Sequence, residues 1–442
     1  MKSRTVVDVW LADLTFPGYM DPLIRLGEAF ERAHPEYRIN IEGHHYRRIA
    51  EEVHHAAERG RPPAVAEYYY SGTLAARDAL TRDGRPLFTS VEKAVAGRKE
   101  ILGEPVVLDD IEPPLRDYYT YDGDLTSMPT VATTSLLYTN TTLLNAAGVS
   151  RVPRTWNELE AACEAVARLP QGPPHAVTWA NHGTLFQQAI AMQGGLLADH
   201  GNGRSGRPLT VNLASEEMLA WARWWRRLHR EGHYLHSGKT ADWLGTFQAF
   251  ATQQVVFRFS SSIDVTNTVQ AGENGGFGVE VSRLPYNDDV PYGGNVIAGT
   301  SLWLADGLDQ ATQDGALAFM QYLNSPANAA EWHKSTSFIP ITRASFDLLE
   351  GEGWFDKHPY HRVAGDQVNG AHGAPGSLGA LLGDFAGTHD AMTQAMDDVL
   401  SRGADPAARF AQANEEAQRR LDRYHADCRG PGPRGPHCFA VD

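Results

Sequence analysis

The chain has 442 residues, more than one core usually serves, so two lobes are expected. Its 54 acidic residues outnumber 39 lysines and arginines, and the net charge of −15 argues against nucleic acid or an anionic membrane surface as the main partner. Hydrophobic residues make up 42% and charged residues 21%, which suits a globular protein, and no apolar run approaches the roughly 18 residues of a membrane-spanning helix.

Thr5 to Trp10 reads as the first strand. Met1-Lys2-Ser3-Arg4 runs straight into it, with no secretory leader and no lipidated cysteine. Two locations follow: extracytoplasmic and membrane-associated where a leader has been removed, cytoplasmic where Met1 is the native start. Pro22 to Ala33 carries Leu23, Leu26, Phe30 and Ala33 on one helical face, and Tyr37 to Ile41 alternates as a strand. His45 to Arg59 is helix-like and stops at Gly60; Ala64 to Tyr70 is a strand ending in three tyrosines. The alternation predicts a mostly parallel α/β sheet, whose ligands sit beyond the carboxyl ends of the strands. Trp10 and Tyr68-Tyr69-Tyr70 stand at such ends.

The stretch from Met128 to Leu169 is the most structured phrase of the chain. A strand from Ser135 to Tyr138 leads to Asn140 and a short helix ending near Gly148. Thr155 is an N-cap, and Glu158 three residues on predicts a capping box. Trp156, Leu159, Cys163, Val166 and Leu169 follow at helical spacing, which makes Cys163 an inert core residue. Ala176 to Trp179 reads as a strand, Leu185 to Met192 as a helix, and Gly201 to Arg207 as a polar surface loop. Ser215 caps a helix whose Trp221, Trp224 and Trp225 are at packing spacing. Asp242 to Ala251 is a helix, Val255 to Phe259 a strand ending at three serines, and Gly275 to Asn287 a strand and turn. Tyr292 to Trp303 is an apolar strand entered through glycines, where backbone must approach something closely. Ala311 to Asn324 is a helix, His389 to Tyr424 is two amphipathic helices, and Asp405-Pro406 caps the second. Cys428 and Cys438 flank a Gly/Pro-rich tail, as a disulfide-closed loop or as two free thiols on a disordered end.

Catalytic signatures are missing. His54 and His55 are adjacent on a helix and diverge by about 100°, which favours a solvated face over a metal site. No metalloprotease, paired-cysteine or phosphate-loop phrase occurs, and Gly299 to Trp303 lacks the second glycine of a nucleophile elbow. Asp13 is a lone acid past the first strand. No catalytic residue, metal or cofactor is expected from these residues, and whether the scaffold carries catalysis stays open.

The Pro129 to Trp156 phrase resembles the middle signature of family 1 extracellular solute-binding proteins, the ligand-capturing subunits of ABC importers. Ser301-Leu302-Trp303, Ala329-Ala330-Glu331-Trp332-His333 and Pro340-Ile341-Thr342, with Phe346 and Trp354-Phe355, resemble the glycerol-3-phosphate-binding branch. The resemblance implies an α/β, two-lobed periplasmic-binding-protein-like fold of type II, with an interlobe cleft and a hinge. Residues 1–130 plus 297–360 would form the N-terminal lobe, 131–296 plus 361–427 the C-terminal lobe, and 428–442 the tail. Crossings are expected near 129–133, 295–300 and 355–370.

By the same resemblance the ligand contacts fall at Tyr69, Tyr70, Thr133, Trp179, His182, Ser260, Ser261, Gly299 and Phe338. Two departures matter. Phe338 stands where the branch has a tyrosine, and Leu381 stands near its phosphate-pairing arginine. Arg258 is a candidate replacement cation, set against a solvated or interlobe role. Glycerol-3-phosphate is therefore not the expected ligand. The expectation is a monomeric solute-binding protein that captures a sugar, glycoside or polyol-like molecule for an ABC permease. The alternative is a leaderless cytoplasmic homologue reused as a biosynthetic enzyme or intracellular carrier.

Overall fold

The longer strands of the chain gather into two mixed sheets. The computed structural model describes residues 4–15, 18–370, 374–430 and 432–441. Met1 to Ser3, on which the leader expectation rests, lie outside them. The strands that build the sheets are β1 (Thr5–Asp13), β2 (Tyr37–His45), β3 (Val65–Tyr69), β4 (Phe88–Thr89), β5 (Met128–Thr133), β6 (Ser135–Asn140), β7 (Val177–Trp179), β8 (Phe257–Ser261), β9 (Val279–Arg283) and β10 (Ala298–Ala305). The first sheet runs β2-β1-β3-β10-β4, with β5 also paired to β10. The second runs β7-β8-β6-β9.

The mostly parallel sheet expected from the alternation is half right. β1 pairs in parallel with β2 and β3, but β10 is antiparallel to β3, β4 and β5, and β6 is antiparallel to both neighbours. The returning strands are the reason: β10 re-enters the first sheet from the second, against the direction of β3.

The helices used below are α1 (Met20–Ala33), α2 (Ile49–Glu58), α3 (Thr73–Arg77), α4 (Trp156–Ala167), α5 (Gly183–Met192), α6 (Glu216–Arg230), α7 (Trp243–Ala251), α8 (Val265–Gly275), α9 (Gln310–Leu323), α10 (Pro326–Thr336), α11 (Phe385–Arg402) and α12 (Pro406–Asp427). Among the described residues no helix is long and apolar enough to cross a membrane. α2 begins at Ile49 rather than His45, because β2 extends through His45. That shift places Tyr46 and Arg47 at the carboxyl end of a strand. At α4 the Thr155 side chain accepts the Glu158 N–H at 3.2 Å, but the Glu158 carboxylate takes the N–H of Arg154 at 2.7 Å instead of closing the box on Thr155.

The chain changes sheets at Thr134, between β5 and β6. The Thr134 hydroxyl donates to the Val296 carbonyl at 3.0 Å, just before β10. Gln367, in the third connection, donates to the Thr134 hydroxyl at 3.1 Å and to the Ser135 carbonyl at 2.7 Å. The Gln188 amide also reaches the Val296 carbonyl, at 2.7 Å. Three crossing segments are thus stitched at one buried residue. Gly299 sits beside it with φ +153°, and a Cβ there would lie 1.8 Å from the Val131 carbonyl oxygen. The close approach expected of these glycines is to the neighbouring strand.

Two peripheral segments are more ordered than their composition suggests. Residues 201–207 are a seam, not a solvated loop: Asn202 is buried and accepts the N–H groups of Leu197 and Ala198. Arg204 donates to the carbonyls of Tyr118, Leu378 and Gly379, and Arg207 pairs with Asp78 at the end of α3. Cys428 and Cys438 form a disulfide. Cys428, Cys438 and Phe439 pack with Ile49, Val53, Tyr68 and Leu74 of the first sheet's layer. The Arg434 guanidinium donates to the Asp78 carbonyl at 2.8 Å. The tail returns to the first lobe because α12 delivers its two cysteines and a phenylalanine to an uncovered apolar face.

Candidate functional site

Strands from both sheets meet at one cavity of about 390 Å³ between the lobes. β1 contributes Leu14 and Thr15 beyond its end, β2 contributes Tyr46 and Arg47, and β3 contributes Tyr69. β5 contributes Val131 and Thr133, and β10 contributes Ala298 and Gly299. From the second sheet come Ser261 at the end of β8 and His182 beyond β7, with Trp243 from the first turn of α7. Ile263, Asp264 and Phe338 close one end.

Six of the nine residues expected at the site line this cavity: Tyr69, Thr133, His182, Ser261, Gly299 and Phe338. Tyr69 packs edge-on against Tyr46, with ring centroids 5.6 Å apart. His182 caps α5 through Nδ1, which accepts the Thr184 N–H at 3.2 Å, and its ring rests 5.2 Å from that of Trp243. Phe338 is backed by Trp332 in a stacked pair 5.9 Å apart.

Three expected residues point elsewhere. Trp179 is 1% exposed and stacks on Phe259 at 4.6 Å and Trp224 at 5.7 Å. It pairs in register with Phe259, so both rings face α6, and the chain reaches the cavity only at His182. Ser260 is fully buried and donates to Asp264 Oδ2 at 2.6 Å, because alternation along β8 gives the cavity to Ser261. Tyr70 lies past β3 in a 3₁₀ turn and is buried between lobes, where it accepts a hydrogen bond from Gln187 at 3.1 Å. Leu381, near which the resemblance put a phosphate-pairing arginine, is buried among apolar neighbours. His54 and His55 converge more than their backbone divergence implied, both reaching the Glu58 carboxylate, at 3.4 and 3.2 Å.

Reading the residues alone missed Tyr46, Arg47, Trp243 and Asp264. Tyr46 and Arg47 were hidden by the early helix start. Trp243 follows an N-cap aspartate and reads as a helix residue. Asp264 holds two partners on Oδ2, Ser260 and the Arg258 guanidinium at 2.8 Å. Arg258 is 1% exposed and also donates to Thr246, so it orients Asp264 instead of facing a ligand. Arg47 has no carboxylate at ion-pair distance among the described residues; its Nε donates to the Tyr46 hydroxyl at 2.8 Å.

Beneath the cavity floor Glu67 is buried and accepts the Ala12 N–H at 2.9 Å and the hydroxyls of Thr130 and Thr300. Burial raises its pKa, and those hydrogen bonds oppose the rise. One carboxylate thereby ties β1, β3, β5 and β10 together below the site. The cavity offers flat aromatic faces and hydroxyl-compatible groups.

A family model described as bacterial extracellular solute-binding protein matches residues 25–360. The sn-glycerol-3-phosphate-binding periplasmic protein UgpB of Salmonella typhimurium is 24% identical over 408 residues, covering 90% of this chain and 89% of its own length. Among solved structures, UgpB of Mycobacterium tuberculosis in complex with glycerophosphocholine superposes with a TM-score of 0.72 at 19% identity, over 95% of this chain and 99% of that one. The GacH receptor of Streptomyces glaucescens, solved unliganded and with acarbose, gives 0.72 at 18% identity over 95% and 99%.

Proposed function

The chain belongs to the bacterial extracellular solute-binding protein family, and on that premise we propose that it captures a sugar, glycoside or polyol-like solute in its interlobe cavity and delivers it to an ABC permease. The observation that carries this reading is the cavity itself. Its walls come from both lobes, and it sets the rings of Tyr46, Tyr69, Trp243 and Phe338 around Thr133, Ser261, His182 and Asp264. Aromatic faces cover the C–H surfaces of a sugar ring, and hydroxyls and a carboxylate meet its O–H groups. The moving bodies are the two lobes, each built on one sheet; because β5 keeps residues 131–133 in the first sheet, the hinge is the seam at Thr134 and not a boundary at residue 130.

Thermal unfolding with a panel of monosaccharides, glycosides and polyols tests this. A ligand at 100 times its Kd adds about 2.7 kcal/mol to stability. Trp243→Ala should remove most of that gain while leaving the unliganded melting temperature within a few degrees, since the ring lies on the cleft wall. A panel without any stabilising member sinks the reading. Arg47 favours a second reading, a phosphorylated polyol held by its guanidinium. Stabilisation by glycerol-3-phosphate that Arg47→Ala abolishes would select it.

A further inference from the structure

The cleft does not end at the first cavity. A second one, of about 460 Å³, opens on the far side of Ile263, Asp264 and Phe338, and these three residues line both. Tyr19, Pro22 and Trp332 wall it from the first lobe, Thr266 and Asn267 from the second. Each compartment alone falls within the roughly 300 to 1,000 Å³ of ordinary small-molecule pockets. A single sugar ring in one leaves the other to water.

The junction is a built polar site. Asp264 Oδ2 is saturated by the buried Arg258 at 2.8 Å and by Ser260 at 2.6 Å, while Oδ1 has no hydrogen-bond partner among the described residues. The carboxylate is thereby held in one orientation, and Asp264 lines both compartments where they meet. Its charge is balanced by Arg258, so the junction accepts hydroxyl donors and offers nothing to an anion. Lys334, the cation of the second compartment, is engaged by Glu331 at 2.7 Å and Glu352 at 2.6 Å. Aromatic surface continues across the waist, since Phe338 presents to both sides and stacks on Trp332.

We infer that this is a two-compartment site for an elongated neutral glycan of two or more rings, with Asp264 as the hydroxyl acceptor at the junction and Trp332 as the platform of the second compartment. The inference rests on the sugar reading above and specifies the size of its ligand.

Isothermal titration of the intact protein with glucose and the maltose and cellobiose series, from two to four rings, tests it. Affinity should rise at least tenfold between the monosaccharide and the best longer member. Trp332→Ala should erase that rise. Asn267→Trp, which fills the second compartment from an exposed helical position, should do the same without touching the first. Asp264→Asn should weaken the longer members at least tenfold. One affinity for all lengths, or a chain-length dependence that survives both second-compartment variants, overturns the inference while the sugar reading stands. Failure of every glycan to bind overturns both.

Discussion

Two tryptophans of the second lobe make opposite predictions. Trp179 was expected in the cleft, yet it is the centre of a cluster with Trp221, Trp224, Trp225 and Phe259. Removing a fully buried indole leaves a cavity its stacked neighbours cannot collapse into, so Trp179→Ala should cost about 3–5 kcal/mol in urea or guanidinium denaturation. A loss under about 1 kcal/mol would move the ring out of the core. Glu67 makes the pH prediction at this scale. Burial raises its pKa, so the folded chain keeps the proton to higher pH than the unfolded chain, where a glutamate titrates near about 4.3. Its contribution is full below that value and is lost as pH rises through the raised one. In Glu67→Gln, denaturation midpoints between pH 4 and 7 should therefore fall less steeply with pH than in the parent chain. Parallel slopes would assign the titration to another group.

At the scale of elements, periodicity and capping chemistry placed most helices and strands, because a helix with its own N-cap and apolar stripe is specified locally. α6 is such a case: Ser215 accepts the Met218 N–H at 3.2 Å, and its three tryptophans face inward. What local pattern could not supply was partnership. Nothing in residues 5–10 says whether a neighbouring strand is parallel, and nothing in residues 45–48 says that β2 outlasts its alternation. One residue of strand phase decided Ser260 against Ser261, and of the six expected residues on the cavity wall only Tyr69, at its strand's carboxyl end, was legible without resemblance to a family. The tail shows the same limit: its composition left a disulfide-closed loop and a disordered end both open, and the packing beside Ile49 and Val53 depends on where α12 delivers it. The Cys428–Cys438 disulfide closes a loop with a sequence separation of 10, which chain entropy values at about 3 kcal/mol. The double variant Cys428→Ser with Cys438→Ser should lose about 2–3 kcal/mol of stability, and a reductant should bring the parent chain to the same midpoint. An unchanged midpoint in both would show that the packing of Phe439 and Arg434 holds the tail unaided.

On the scale of the whole molecule, a net charge of −15 surrounds a cleft whose one acidic junction residue is already paired. Long-range fields of such a protein repel anions at low salt and are screened beyond about 10 Å at 0.1 M. A neutral glycan feels neither effect, because its binding depends on ring stacking and short hydrogen bonds inside a closing gap. Its Kd should change less than about twofold between 50 and 500 mM sodium chloride. A phosphorylated ligand held by Arg47 would behave otherwise: its charge-assisted contact lies at an exposed residue of the cleft wall and weakens as salt rises. Titrations across that salt range, paired with small-angle scattering of the same samples, separate the two. Salt-independent binding accompanied by a smaller radius of gyration is the result expected of two lobes closing on an uncharged guest. A Kd that climbs severalfold with salt would instead make Arg47, and not the aromatic walls, the principal contact.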